Sequence, residues 1–394
     1  MVQTGRPENA VERIRTRVQE KAERRAAARA AVDRSADPDP KTGSTGSVVV
    51  ATERREAERP APSIPSEAEL PGVHAEKPTE IPARGWKQVL KRAWAENGAD
   101  NMSIIGGGVA FFGFLAIFPA LIAAISLYGL VASPETVARQ IESLSDQLPE
   151  SAQSLLSDQL TAITQNSGGA LTVSLIISIL GALWSASGGV GNLIKAVNIA
   201  YDEVETRNFV KLRLLSLALT LGAIVFVLIT FGLVAVVPAV LDSLPLGIVG
   251  TILAQVVRWV LLLGVMAGAL SVLYRVAPDR DAPKFSWVSL GSIVVTVIWA
   301  VISLLFSFYV DNFGSYDKTY GAIAGVIVLM LWLQLTVFLV LLGAEINSEA
   351  EHQTSADTTE GDPVPMGRRD ATMADELPDP PVPSKKQAEA EARS

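Results

Sequence analysis

The sequence predicts an all-α, polytopic membrane protein with six transmembrane helices, framed by amphipathic interfacial and outer helices. Three observations carry this. Residues 321–342 are 22 consecutive positions without a charge, a helix of roughly 33 Å and long enough to cross a bilayer core. Five more apolar stretches of comparable length lie between 103 and 310. Basic residues then alternate from one connection to the next. Flanks assigned to the inside carry eleven of them: Arg84, Lys87, Lys91, Arg92, Lys195, Arg207, Lys211, Arg213, Arg275, Arg280 and Lys284. Outer connections carry two, Arg139 and Lys318. Cytoplasmic loops are the ones enriched in lysine and arginine, so both termini are expected in the cytoplasm.

Composition narrows the chemistry. The chain has no cysteine and two histidines, His74 and His352, both outside the apolar stretches. A disulfide framework, a thiolate metal site, a cysteine nucleophile and a histidine-rich metal centre are therefore excluded. The sequence implies no cofactor.

Residues 1–82 read as a polar cytoplasmic tail. Within it, 11–32 is rich in Ala, Arg and Glu and helix-competent. Two readings stay open for it: a basic helix on the anionic inner leaflet, or a solvated arm. No charged start followed by an apolar core appears near Met1, so no cleaved signal peptide is expected. The transmembrane domain is expected to fill 83–352. It opens with an elbow helix at 85–97, where Trp86, Val89, Leu90, Ala93 and Trp94 share a face and Lys87, Lys91 and Arg92 flank it. Tryptophan at headgroup depth with lysines beside it fits an interfacial helix.

The first span, 103–131, carries a small-residue face of Gly106, Ala110 and Gly113, which suits close helix approach. Pro119 is expected to kink the span or end its first segment. Residues 133–166 are too polar to span and read as two amphipathic outer helices. The second span starts near 170 and brings Trp184, Gly188, Gly191, Lys195 and Asn198 to one side, with Ser187 and Asn192 beside them. Small and polar residues on a membrane helix mark a protein-facing or water-facing side, so helix packing and a solute path both remain open. The third span is 212–240 and the fourth 248–274. The fourth contains Arg258, which needs a partner, a wet cavity or a route to the interface. The fifth is 285–310. The sixth has Gln334 near its centre and Glu345 and Asn347 just past its apolar run. Ahead of it sits an aromatic and acidic loop with Asn312, Tyr316, Asp317 and Tyr320. From 353 to 394 the chain is acidic and Pro-rich and reads as a disordered cytoplasmic tail.

Candidate pathway or gate residues follow from polar groups in or at the ends of spans: Asn192, Lys195, Asn198, Tyr201, Glu205, Arg207, Arg258, Arg275, Gln334, Glu345 and Asn347. Asn198, Tyr201, Glu205 and Arg207 leave the second span on the same side on which Glu345 and Asn347 leave the sixth. Opposite charges attract strongly at a partly dry interface, so Glu345 is expected to pair with Arg207 or Arg275 and close the inner mouth. The competing expectation is that each group simply meets headgroups and water.

Several segments resemble the YihY/BrkB family of bacterial inner-membrane proteins, over about 86–351. They are GGGVAFFGFLAIFPALIAAISLYGL, LWSASGGVGNLIKAVNIAYDEVETRNFVKLRL, LYRVAPDRDAPKFSWVSLG and YDKTYGAIAGVIVLMLWLQLTVFLVLLGAEINSEAE. The motif positions are Asn198, Ala200 and Tyr201 with Glu205 and Arg207; Tyr274-Arg275 with Pro278; Tyr320-Gly321; and Gly343-Ala344-Glu345-Ile346-Asn347. Phe112, where tyrosine is frequent, and Leu290-Gly291-Ser292, where Pro-Gly-Ala is common, depart from the family pattern. The resemblance implies a six-helix membrane protein, sometimes linked to virulence or envelope processes. The family has also carried the label ribonuclease BN. A metal-dependent nuclease needs clustered ligands for its ions, and RNA binding wants a basic surface with exposed aromatics. This chain offers neither, so no enzyme activity and no nucleic-acid partner are expected. The expected partners are the lipid bilayer and a small or amphiphilic solute, lipid included. A non-catalytic scaffold for envelope assembly, virulence or stress resistance is the alternative function.

Overall fold

The computed structural model describes residues 64–129, 173–237, 247–313 and 322–378. The expected helix at 11–32, the outer helices at 133–166 and the loop with Tyr316, Asp317 and Tyr320 lie outside the described residues, as does the side chain of Asn312.

Helices make up nearly all of the described chain: α1 Ala83–Ala99, α2 Met102–Gly129, α3 Val173–Ala200, α4 Phe209–Phe231, α5 Gly247–Val276, α6 Phe285–Phe313, α7 Ala322–His352 and a single turn, α8, Thr372–Asp375. Among the described residues no strand forms, and one isolated antiparallel bridge joins Pro283 to Thr359. Five helices, α2 and α4 to α7, are long and apolar enough to cross a membrane. The expected second span corresponds to α3, which runs 28 residues but is not one of those five. Pro119 lies inside α2 without ending it, and α4 continues into a π-helical segment, Gly232–Val236.

Neighbour relations give the bundle its order. α2 packs on α3 and α7, α7 also on α1 and α6, α6 on α5, and α3 on α4, while α4 and α5 touch little. Small residues set the closest approaches. A Cβ on Gly189 of α3 would sit 3.1 Å from the Phe112 carbonyl oxygen and 3.0 Å from the Ala116 Cβ of α2. Gly106 of α2 faces the backbone of Phe338 on α7, and Ala110 is buried. Gly113, the third member of the expected small-residue face, has open space before it.

The core sits toward one end of the bundle. It joins Met102, Ile194, Val197, Tyr201, Tyr274, Val288, Leu341 and Ala344. The opposite halves of α5 and α6 expose Ile248, Val249, Leu304 and Phe308, as suits helices whose apolar surface meets acyl chains rather than water.

The tail boundaries differ from those drawn on composition. Residues 64–82 and 353–378 fold against the helix ends nearest the core. Gln353 and Thr354 are fully buried, Thr354 Oγ1 donates to the Ala75 carbonyl at 2.7 Å, and Gln353 Nε2 donates to the Pro71 carbonyl at 2.9 Å. Arg369 rivets the C-terminal stretch, donating to the carbonyls of Val364, Ala356, Ala374 and Ser355. Polar composition reads as disorder when its hydrogen bonds are not visible. Here side chains satisfy the backbone of an irregular segment, which makes it foldable without an apolar run.

The elbow helix is present as α1, with its faces divided differently. Gly85, Val89, Ala93 and Asn97 are its buried side. Leu90, Trp94, Lys87 and Lys91 are exposed together, so the lysines keep two apolar neighbours for an interface while Val89 and Ala93 join the protein core.

Candidate functional site

The polar residues of the motifs converge at the C-terminal ends of α3, α5 and α7, and local chain geometry puts them there. α3 ends because Asp202 takes a left-handed conformation, φ +52°. That lets the Glu203 N–H reach back to the Asn198 carbonyl at 2.8 Å, a C-terminal closing bond. Asn208 then starts α4, its side-chain oxygen accepting from the Lys211 N–H at 2.9 Å. The short connection between the two helices is thereby pinned at both ends, which fixes Glu205 and Arg207.

A first knot forms around them. Arg207 grips Glu205 with Nε at 2.8 Å and Nη2 at 2.6 Å, and also donates to the Ala277 carbonyl. Asn198, buried, donates to Glu205 at 2.9 Å and accepts from the Asp279 N–H at 2.7 Å. Asp279 accepts from both the N–H and the hydroxyl of Thr206 at 2.6 Å and lies 3.8 Å from Arg207. The α3–α4 and α5–α6 connections are thus tied by a fully occupied charge network.

A second knot is deeper. Arg280 and Glu351 form a two-pronged pair, with bonds of 3.2 and 2.6 Å between side chains that expose no surface. Thr358 adds a hydroxyl to Glu351 at 2.6 Å, and the guanidinium lies over the Tyr201 ring. Burial alone would lower the Arg280 pKa; Glu351 against it outweighs burial and holds it above its usual value. A third contact joins α1 to α7: Arg92 donates to Glu349 at 2.6 Å and to Gln353 at 2.8 Å.

The expected pairing of Glu345 does not form. Arg207 is held by Glu205 and Asp279, and Arg275 pairs with Glu360 while stacking on Phe285. Glu345 is buried, and its Oε1 has no hydrogen-bond partner. Arg207 is taken by a carboxylate of its own loop and one from the α5–α6 connection, and Arg275, in the last turn of α5, by one from the C-terminal stretch, so neither pairs with Glu345. Asn347 is buried and donates to the Val288 carbonyl at 3.4 Å, packed against Gly291. Tyr201 is buried between these knots.

The remaining candidates separate. Lys195 is exposed although Asn198, three residues on, is buried, so they do not line one path. Asn192 is half-buried. Gln334 of α7 faces Gly107 of α2, whose Cβ would lie 3.6 Å from its amide nitrogen. Arg258 shares the less exposed strip of the outer half of α5 with Ala254, Gln255 and Leu262. Its Nε is buried without a hydrogen-bond partner, and its guanidinium lies 5.7 Å from the Trp259 ring. Among the described residues no carboxylate pairs with it.

Sequence reasoning left out Arg92, Asp279, Glu349, Glu351 and the Arg280 pairing. One signal was available: Glu345, Glu349 and His352 recur on one face of α7, opposite the Gln88 and Arg92 face of α1. The Glu351 partner, 71 residues away, leaves no local trace.

Acid should loosen the C-terminal stretch first. Asp357 accepts from the Val364 and Thr359 N–H groups and lies 3.7 Å from Arg369; although burial opposes it, these contacts hold its pKa below the usual carboxylate range. A carboxyl lowered on folding stabilises above its unfolded value of about 4 and stops doing so as pH falls through the folded one. Hydrogen exchange of 355–378 should therefore accelerate on acidification before that of the helices, and Asp357→Asn should flatten the dependence.

Comparison with known proteins agrees with this architecture. The family described as "Virulence factor BrkB" matches residues 93–366. The chain is 36% identical over 246 residues to a Bacillus subtilis (strain 168) protein named "Putative ribonuclease-like protein YfkH", covering 61% of this chain and 86% of that one. It is 25% identical over 267 residues to a UPF0761 membrane protein of Vibrio vulnificus (strain CMCP6), covering 66% and 82%. A UPF0761 membrane protein of Tolumonas auensis is 35% identical over 81 residues, 21% of this chain and 26% of the relative. No solved structure matches. The match runs from within the elbow helix through all six long helices after it and into the C-terminal stretch, and on it the chain belongs to the BrkB family of membrane proteins.

Proposed function

We propose that this protein moves a small or amphiphilic solute, lipids included, across the bacterial plasma membrane, with both termini in the cytoplasm. The observation that carries the reading is Arg258. A guanidinium inside a span is costly against lipid, by roughly 2.5 kcal/mol or more at mid-membrane on insertion scales. This one keeps to the less exposed strip of α5, with a buried N–H unpartnered and α4 only lightly packed against its helix. Such a group suits a polar or anionic moiety passing between helices. Asn192, Gln334 and Glu345 remain with it as pathway candidates. Asn198, Glu205, Arg207 and Arg275 act as structural ties, since their polar groups already have partners.

The scaffold reading is favoured by a different observation. Segments 64–82 and 353–378 build an ordered face at one end of the bundle, a surface on which an envelope partner would dock. Ribonuclease activity is not proposed: His352 sits beside Glu349 at 3.5 Å and His74 is exposed, and among the described residues neither belongs to a group arranged to hold catalytic ions.

The test is flux into proteoliposomes of wild type and Arg258→Gln, screening lipids and ions with and without a sodium or proton gradient. Transport above empty-liposome background is expected, reduced about tenfold or more in the variant, as for loss of a charge-assisted contact. Equal flux in both would remove Arg258 from the path, and no flux under any condition would favour the scaffold.

A further inference from the structure

α1 lies antiparallel along the inner end of α7 in a regular register. Gln88 meets Gln353 and Arg92 meets Glu349, each step four residues on both helices. The next step brings Glu96 and Asn97 level with Glu345. Glu345 is 2% exposed and its Oε1 has no partner. Asn97, 6% exposed on the buried face of α1, has an unpartnered Nδ2, and the buried Ser348 has an unpartnered Oγ one turn along α7. Buried polar atoms in folded proteins are nearly always bonded, to protein or to internal water. Three such atoms at one seam make a polar site that the protein's own groups do not fill.

Several carboxylates surround Glu345, and the bases in reach are taken. Asp100 after α1, Asp202 after α3, Glu349 on α7 and Glu96 on α1 all act on Glu345 through space. The nearby bases are engaged elsewhere: Arg92 with Glu349 and Gln353, Arg207 with Glu205, Arg275 with Glu360, and Lys284 with the Asp357 carbonyl. His352 faces Glu349, Lys195 points away from the core, and α2 contains no charged residue. A buried carboxylate among acids, with no cation to pair with it, is strongly disfavoured and takes up a proton instead.

We propose that Glu345 is a proton-binding site at the cytoplasmic end of the bundle, neutral in the folded protein and bridged by water to Asn97 and Ser348. A metal ion fits less well, because sodium-like and divalent cations need several converging oxygen ligands. Among the described residues no group of three His, Cys, Asp or Glu side chains is placed to hold one. Coupling of this proton to solute movement rests on the transport reading; the proton site itself does not.

The test uses the full chain and Glu345→Gln, which mimics the neutral carboxyl. Infrared spectra near neutral pH should show a protonated-carboxyl band in wild type that the variant lacks. Wild type and variant should melt alike up to about pH 4, and wild type should then fall several degrees below the variant as pH rises, because the unfolded carboxyl ionises at about pH 4.3. If the variant does not fold, wild type alone suffices. An apolar carbodiimide should label Glu345 near neutral pH, the carboxyl O–H adding across a C=N bond before the acyl group shifts to nitrogen, and labelling should fade in alkali. No band difference, parallel melting at every pH, or no carbodiimide labelling would each overturn the proposal. So would a sodium-induced rise in melting temperature seen in wild type only, which would identify a metal cation. None of these measurements reads flux, so failure of transport leaves them decisive.

Discussion

Replacing Arg280 with alanine should be the most damaging single change at the knotted end of the bundle. It would leave Glu351 fully buried, with only the Thr358 hydroxyl against its charge. Removing one partner of a buried pair costs about 3–5 kcal/mol, because the survivor remains desolvated and uncompensated. Glu351→Gln should cost less, since an amide still accepts from Arg280 and Thr358. Exchanging both for well-packed apolar residues should recover much of the loss. Thermal unfolding in detergent, run as a double-mutant cycle, would show this as strong non-additivity. Additive losses would mean that the two side chains act separately. The physical reason for the size of the effect is position: the pair ties the α5–α6 connection to the end of α7 and to the chain that follows it.

Gly343→Ala should rank next. A Cβ there would overlap the Tyr274 hydroxyl and lie 2.6 Å from the Val295 Cγ2, at the meeting of α5, α6 and α7. Tyr274 is fully buried, and its hydroxyl donates to the Val340 carbonyl at 2.8 Å. Overpacking costs about 1–3 kcal/mol, and displacing the hydroxyl from its only acceptor adds about 1–3 more. Pairing Gly343→Ala with Tyr274→Phe should restore part of the stability, because the added methyl then meets no hydroxyl. A Gly343→Ala protein that melts like wild type would show that these helices separate easily.

The spans were legible because their signal is local. Length without charge needs no knowledge of partners, and α2, α5 and α6 begin and end within a few residues of expectation. α7 runs ten residues past its apolar stretch, since Glu345, Asn347, Glu349 and Glu351 are carried inside the protein rather than into water. Hydropathy alone cannot tell a buried polar turn from an exposed one. The gathering of Asn198, Glu205 and Arg207 was readable for the same local reason, as they are close in sequence. The pairing of Glu345 was misjudged because it depended on which of several acids each arginine prefers. Asp279 and Glu360 settle that from distant loops. The ordered stretch after 353 was missed because side-chain-to-backbone bonds, unlike apolar periodicity, leave no regular pattern.

The central claim is a polytopic bundle whose polar knots and ordered cap lie together on the cytoplasmic side. The absence of native cysteine makes one measurement direct. Single cysteines at Asp317, Lys211 and Asp362 should be tested in intact cells with a membrane-impermeant thiol reagent. Lys211 and Asp362 are exposed near the knots and in the cap. The account predicts labelling at 317 from outside, and labelling at 211 and 362 only after permeabilisation. Labelling at 211 or 362 in intact cells, with 317 silent, would contradict it.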